Sequence, residues 1–115
     1  MTVIIYHNPR CTKSRETLAL LRARDIEPKI VEYLSSPPSA AELKAILKKL
    51  GLKPRDVVRQ KEPRYAELGL KDRKISDDAL IALIVANPIL LERPIVVSGG
   101  RAAIGRPPES VLKIL

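Results

Sequence analysis

Within the first 33 residues two short β-prone runs flank a single helical pattern, which leaves this chain few ways to fold. Val3-Ile4-Ile5-Tyr6 is β-branched and aromatic and is closed by Asn8-Pro9, so it reads as a buried strand followed by a turn. From Thr12 onward Leu18 and Leu21, with Ala19 and Leu20 beside them, recur at helical spacing until Arg24-Asp25, ahead of Pro28. Lys29-Ile30-Val31-Glu32-Tyr33 is a second strand. Strands joined through one helix are expected to lie parallel with a right-handed crossover, the unit from which α/β folds are built.

Ser35-Ser36-Pro37-Pro38 interrupts the pattern. Ser39-Ala40-Ala41-Glu42 is a capping box, in which hydroxyl and carboxylate satisfy orphan amides reciprocally. Leu43, Ile46, Leu47 and Leu50 follow at i, i+3, i+4 and i+7, up to Gly51 as a C-terminal stop. Short helical turns are expected around residues 54–59 and 65–68. Ser76, with Asp77 and Asp78, caps a further helix carrying Leu80, Ile81, Ile84 and Val85. Ile89-Leu90-Leu91 reads as a short strand. Pro94-Ile95-Val96-Val97-Ser98 and Ala102-Ala103-Ile104 read as two strands around Gly99-Gly100, and Pro107-Pro108-Glu109 opens a last helix through Leu112 to Leu115. The expected order is βαβ, a helical insertion over about residues 36–86, then ββα, in one α/β domain spanning 1–115.

Composition narrows the function classes. With 115 residues, 45% of them hydrophobic, the chain can bury one core without covalent staples. Phe and Trp are absent and only Tyr6, Tyr33 and Tyr65 are aromatic, so the core is aliphatic and base-stacking platforms are hard to assemble. The net charge of +8 is spread along the chain; its densest part, residues 48–64, holds seven basic groups against Asp56 and Glu62. A diffuse positive field draws small anions and needs no nucleic acid, so direct nucleic-acid binding is not expected. The longest apolar run, residues 79–86, is far shorter than the ~18 residues of a membrane span. No signal-peptide apolar region precedes His7, and a cytoplasmic location without membrane association is expected.

Cys11 is the only cysteine and His7 the only histidine, so an internal disulfide and a Cys-rich metal site are excluded and a zinc site is not expected. If Cys11 is chemically active, its partner thiol must come from another molecule; a buried cysteine acting as a small hydrophobe is the alternative. Its placement favours chemistry. In His7-Asn8-Pro9-Arg10-Cys11-Thr12-Lys13-Ser14-Arg15 the thiol lies between a strand end and a helix start, where unpaired amides and the helix dipole favour a thiolate. The same amides can cradle an oxyanion, and Arg10, Lys13, Arg15 and His7 add positive charge nearby. Ser14 stands where a Cys-x-x-Cys motif has its second cysteine. Its hydroxyl can donate to the thiolate, or it can satisfy a local backbone group. His7 can act as a base, strengthen the thiolate as an imidazolium, or be a satisfied polar residue.

Read together, the Cys11 segment, Tyr33-Leu34 followed by Pro37-Pro38, Arg59 before Tyr65-x-x-Leu68-Gly69-Leu70, the stretch Asn87-Pro88-Ile89-Leu90-Leu91-Glu92-Arg93-Pro94-Ile95-Val96-Val97, and Gly105-Arg106-Pro107-Pro108-Glu109 resemble the glutaredoxin-linked arsenate reductase family over nearly the whole chain. Arg10, Thr12 and Lys13, with residues 99–105, look like its chromosomal branch rather than its plasmid-borne one. The resemblance implies a thioredoxin-like sheet interrupted by a helical subdomain. It also implies a cis-proline at Pro94, and oxyanion binding and Cys11 stabilisation by Arg59, Arg93 and Arg106. Planar guanidinium groups suit that task.

The mechanism implied by the resemblance starts with Cys11 attacking arsenate to form a thioarsenate. Glutathione then attacks the arsenic, and arsenite leaves behind a Cys11–glutathione disulfide that glutaredoxin resolves. Glutathione is thus a co-substrate, glutaredoxin a protein partner, and no metal or bound organic cofactor is implied; a monomer is expected. Two other readings compete. One is a related redox-sensing regulator of the Spx type that binds RNA polymerase. The other is a general glutathione-dependent thiol oxidoreductase.

Overall fold

Four strands, β1 (Val3–Tyr6), β2 (Lys29–Val31), β3 (Ile95–Ser98) and β4 (Arg101–Ile104), form one sheet in the order β2-β1-β3-β4 in the computed structural model, which describes residues 2–115. β1 and β2 run parallel with Ile5 opposite Ile30, as their connection through helix α1 (Thr12–Ala23) requires. β3 is antiparallel to both β1 and β4, with Ile5 opposite Val96 and Val96 opposite Ala103. Ile5, Val96 and Ala103 therefore share one face of the sheet. Leu21 of α1 joins Ile5, Val96, Val111 and Ile114 in the buried cluster there. β2 stops earlier than expected because the Glu32 carbonyl accepts from the amides of Ser35 and Ser36, which turns the chain after Val31.

The final helix is a 3-10 segment, Pro108–Ile114. The reason lies in spacing. Pro108, Val111 and Ile114 are buried at intervals of three, a period that three residues per turn aligns on one face.

These elements make one compact unit, the described residues up to Ser36 together with Arg93–Leu115. The second unit is Pro37–Glu92. There α2 (Ala40–Leu50) begins at the expected capping box. The Glu42 amide donates to Ser39 Oγ at 3.1 Å, and the Ser39 amide donates to Glu42 Oε1 at 3.0 Å. Gly51 ends the helix at φ 70°, a left-handed position that costs glycine little. α3 (Pro63–Glu67) is short. α4 (Asp77–Ala86) is capped by Ser76, whose hydroxyl accepts from Ala79. Leu43, Ile46 and Leu47 of α2 and Leu80, Ile81 and Ile84 of α4 are buried where those helices pack together. Arg55 pins the 70–73 stretch by donating to the carbonyls of Leu70 (2.7 Å) and Arg73 (2.6 Å).

The strand expected at Ile89-Leu90-Leu91 does not form. A 3-10 turn, Pro88–Leu90, stands there, and only Leu91 makes a β-bridge, to Val58. Adjacent Leu90 and Leu91 are both buried while Ile89 is exposed, a pattern that breaks the alternation of a half-buried strand.

Candidate active site

The end of β1 carries straight into the loop that holds the cysteine. The His7 amide donates to Val31 O at 2.8 Å, so β1–β2 pairing extends one residue past the strand. Asn8 then folds the turn: its Oδ1 accepts from the Arg10 amide and its carbonyl from the Cys11 amide, each at 3.0 Å. Cys11 is the N-cap of α1, with extended backbone (φ −93°, ψ 123°) and a carbonyl that accepts from Arg15. Arg15 also closes the loop with its side chain. Nη1 donates to Pro9 O at 3.0 Å, and Nη2 reaches Thr12 Oγ1 at 3.4 Å.

The Cys11 sulfur is buried, at the positive end of a twelve-residue helix. Arg106 approaches it from the other end of the sequence, with Nη2 at 3.7 Å from Sγ. Arg106 is itself oriented by Nε donating to the Arg93 carbonyl at 2.8 Å. Nε and Nη1 of Arg93 are buried as well. The Arg93–Pro94 peptide is cis, and so is Arg106–Pro107, which nothing in the sequence singled out. Gly105 fits between these elements because it lacks a side chain. A Cβ there would stand 2.8 Å from Pro94 Cγ and 3.1 Å from Thr17 Cγ2, and would also meet Thr17 Oγ1. Its amide donates to Pro94 O at 2.9 Å.

Ser14 has its hydroxyl engaged within the loop. Its fully buried hydroxyl lies 2.6 Å from His7 Nδ1 and accepts from the Asn8 amide at 3.0 Å. It satisfies a local backbone group, as first-turn serines do. Burial pushes the His7 imidazole below its ordinary value. Glu32 opposes that shift, and Arg22 and Arg15 add to it. The neutral ring is thus favoured over the imidazolium that the sequence left open. With its proton on Nε2, the ring accepts the Ser14 hydrogen at Nδ1, and both hydroxyl roles are filled.

Arg59 belongs to the second unit. The Val58–Leu91 bridge sets its backbone: the Arg59 amide donates to Leu90 O at 2.7 Å, and the Glu92 amide to Val57 O at 2.8 Å. This pairing brings Glu92 Oε1 to 3.9 Å from Arg59 Nε, while Glu62 is hydrogen-bonded to Nη1 from one turn further on. All three side chains are largely buried, at 22% exposure for Arg59, 17% for Glu62 and 28% for Glu92.

Within the first unit, therefore, Cys11 meets Arg106 and His7 meets Ser14. Sequence reasoning gave Asn8 only a place in a turn and Arg15 only a positive charge, not the hydrogen bonds with which they shape the loop, and it gave no role to Glu62, Glu92 or Gly105. Asn8-Pro9 signalled a turn without saying that its side chain would build it. An acid three residues after Arg59 was an available sign of pairing.

Comparison with known proteins agrees with this architecture. The model of the ArsC family matches residues 6–114. An uncharacterized protein of Escherichia coli K12, YfgD, is 56% identical over 98% of this chain and 96% of its own. A Neisseria meningitidis protein named arsenate reductase is 49% identical over 96% of both chains. The solved structure of an arsenate reductase from Vibrio cholerae superposes with a TM-score of 0.97 at 54% identity, covering 100% of this chain and 98% of that one. The mixed sheet with its helices is the thioredoxin-like fold of those reductases, and the chain belongs to the ArsC family.

Proposed function

We propose that this protein is an arsenate reductase that uses Cys11 as nucleophile and draws its electrons from glutathione and glutaredoxin. The observation that carries the reading is the Arg106 guanidinium 3.7 Å from a cysteine sulfur at the N-cap of α1. A fixed cation and a helix N-terminus both suit a tetrahedral anion held beside a nucleophilic sulfur. The family membership and the names of the relatives supply the substrate.

In the proposed sequence the Cys11 thiolate attacks arsenic, an S–As bond forms, and one arsenate oxygen leaves as water after taking up protons. Arsenic is still pentavalent at this point. A glutathione thiolate then forms a second S–As bond as another oxygen departs. Closure of a disulfide between Cys11 and glutathione delivers two electrons to arsenic, which leaves as arsenite. Glutaredoxin exchanges with that mixed disulfide and restores the thiol. The lone cysteine supports the external route, since the chain has no second thiol with which to resolve the disulfide.

Arg106 holds charge on Cys11 and then on the oxyanion. Arg93 fixes Arg106 through its carbonyl and offers its own guanidinium to the anion, and Pro94 shapes that turn. Arg59 is assigned to the oxyanion on the family resemblance. His7 and Ser14 act by fixing the loop, with His7 as a neutral ring.

The test is arsenate-dependent NADPH oxidation coupled through glutathione reductase, with glutathione and glutaredoxin present, comparing wild type with Cys11→Ser. Turnover in the wild type alone is expected. Turnover that survives in Cys11→Ser, or none in a folded wild type with reduced Cys11, refutes the mechanism.

A further inference from the structure

We propose that Glu62 makes the Arg59 anion position selective for tetrahedral oxyanions that carry a proton, and so sets arsenate and phosphate apart from sulfate. The inference rests on the reading of Arg59 as an oxyanion ligand.

A simple anion receptor leaves its guanidinium open, yet Arg59 already has a carboxylate hydrogen-bonded to Nη1 and a second one 3.9 Å from Nε. Counted as ionised groups, Arg59, Glu62 and Glu92 together carry one net negative charge. Partial burial keeps water from screening that charge fully. A fully deprotonated oxyanion arriving at Arg59 meets one cation and two carboxylates, with nothing to offer the latter.

An oxyanion that keeps a hydroxyl is received differently. Its charged oxygens take the guanidinium hydrogens, and its hydroxyl donates to the Glu62 carboxylate, which is an acceptor only. Repulsion is thereby replaced by a charge-assisted hydrogen bond. Near neutral pH monohydrogen arsenate and phosphate have that hydrogen, and sulfate does not. The hydroxyl hydrogen, not the net charge, therefore sorts anions of the same shape and similar size. Glu62 stands closer to the guanidinium than Glu92 does, so it carries the larger share of the selection.

Binding of inorganic phosphate, arsenate and sulfate is measured by calorimetry at neutral pH and constant ionic strength, on wild type, Glu62→Gln, Glu92→Gln and Arg59→Ala. The readout does not depend on turnover. Wild type is expected to prefer phosphate and arsenate over sulfate by at least about tenfold, the scale of one charge-assisted hydrogen bond. Glu62→Gln is expected to abolish most of that preference, with sulfate gaining and phosphate losing affinity, and Glu92→Gln to reduce it less. Arg59→Ala should weaken all three anions. Equal affinity for sulfate and phosphate in the wild type overturns the proposal without recourse to any variant. An unchanged ratio in folded Glu62→Gln also overturns it. If Arg59→Ala leaves every affinity unaltered, the reading of Arg59 fails and the inference with it; loss of binding in Arg59→Ala alongside an unchanged Glu62→Gln ratio removes the inference alone.

Discussion

Replacing Ser14 by alanine removes a single oxygen that serves two partners. The hydroxyl is fully buried, 2.6 Å from Nδ1 of a His7 that is itself only 6% exposed, and it takes the hydrogen of the partly buried Asn8 amide. Each polar group left without a partner on burial costs about 1–3 kcal/mol, and alanine's better helix propensity returns only about 0.5 kcal/mol. The net loss expected is roughly 1.5–5.5 kcal/mol, a large part of the ~5–15 kcal/mol that holds a domain of this size together. At roughly 4 °C per kcal/mol the melting temperature should fall by about 6–22 °C.

Urea unfolding at pH 7.5 measures this directly, as a lower midpoint at unchanged m-value. A double-mutant cycle with His7→Phe isolates the shared bond, and the two changes should couple by about 1 kcal/mol or more because the ring no longer needs a partner. A Ser14→Ala loss below about 0.5 kcal/mol, or additive effects in the cycle, would show that the hydroxyl does not serve both groups and would refute the argument.

Three other outcomes follow from the same unit. Gly105→Ala forces a methyl group against Pro94 Cγ and both branches of buried Thr17, so it should cost about 1–3 kcal/mol in urea unfolding; an unchanged midpoint would contradict the packing described. His7 is held below its ordinary value near 6.5, so in the unfolded chain it takes up a proton that the folded chain refuses. Its contribution to stability is complete above about pH 6.5 and is lost as pH falls through the lower folded value, a dependence that His7→Phe should flatten. Arg106→Ala removes the guanidinium 3.7 Å from the Cys11 sulfur and should lower kcat/KM for arsenate by about 10²-fold or more, whereas equal rates of iodoacetamide alkylation at Cys11 in both proteins would argue against charge stabilisation of the thiolate.

Local chemistry accounts for what the sequence revealed. The helix caps, the β-branched runs and the helical spacing act between residues a few positions apart, and the elements they specify formed within a residue or two of expectation. Ile89-Leu90-Leu91 misled because apolar content signals burial, while the choice between strand and turn depended on Pro88 and on the Val58 pairing more than thirty residues away. The last helix misled in a subtler way. Its buried positions repeat every three residues, and the distinction from a period of 3.6 is faint over seven residues.

The candidate site divides along the same line. That Cys11 opens a helix was readable, since the turn at Asn8-Pro9 and the periodicity after Thr12 bracket it. That Arg106 is the cation beside it depends on an antiparallel strand pair returning the chain 95 residues later, and no local pattern encodes that contact. Sheet order does. Once β3 lies against β1, the segment entering β3 and the segment leaving β4 are both carried to the end of β1 where the cysteine loop begins, since antiparallel neighbours exchange ends. Arg93 precedes β3 and Arg106 follows β4, so two arginines thirteen positions apart become neighbours, joined by the Arg106 Nε to Arg93 carbonyl bond. The thiol thus depends for its cation on the same strand pairing that forms the core around Ile5 and Val96, which makes its reactivity sensitive to core substitutions far from the sulfur.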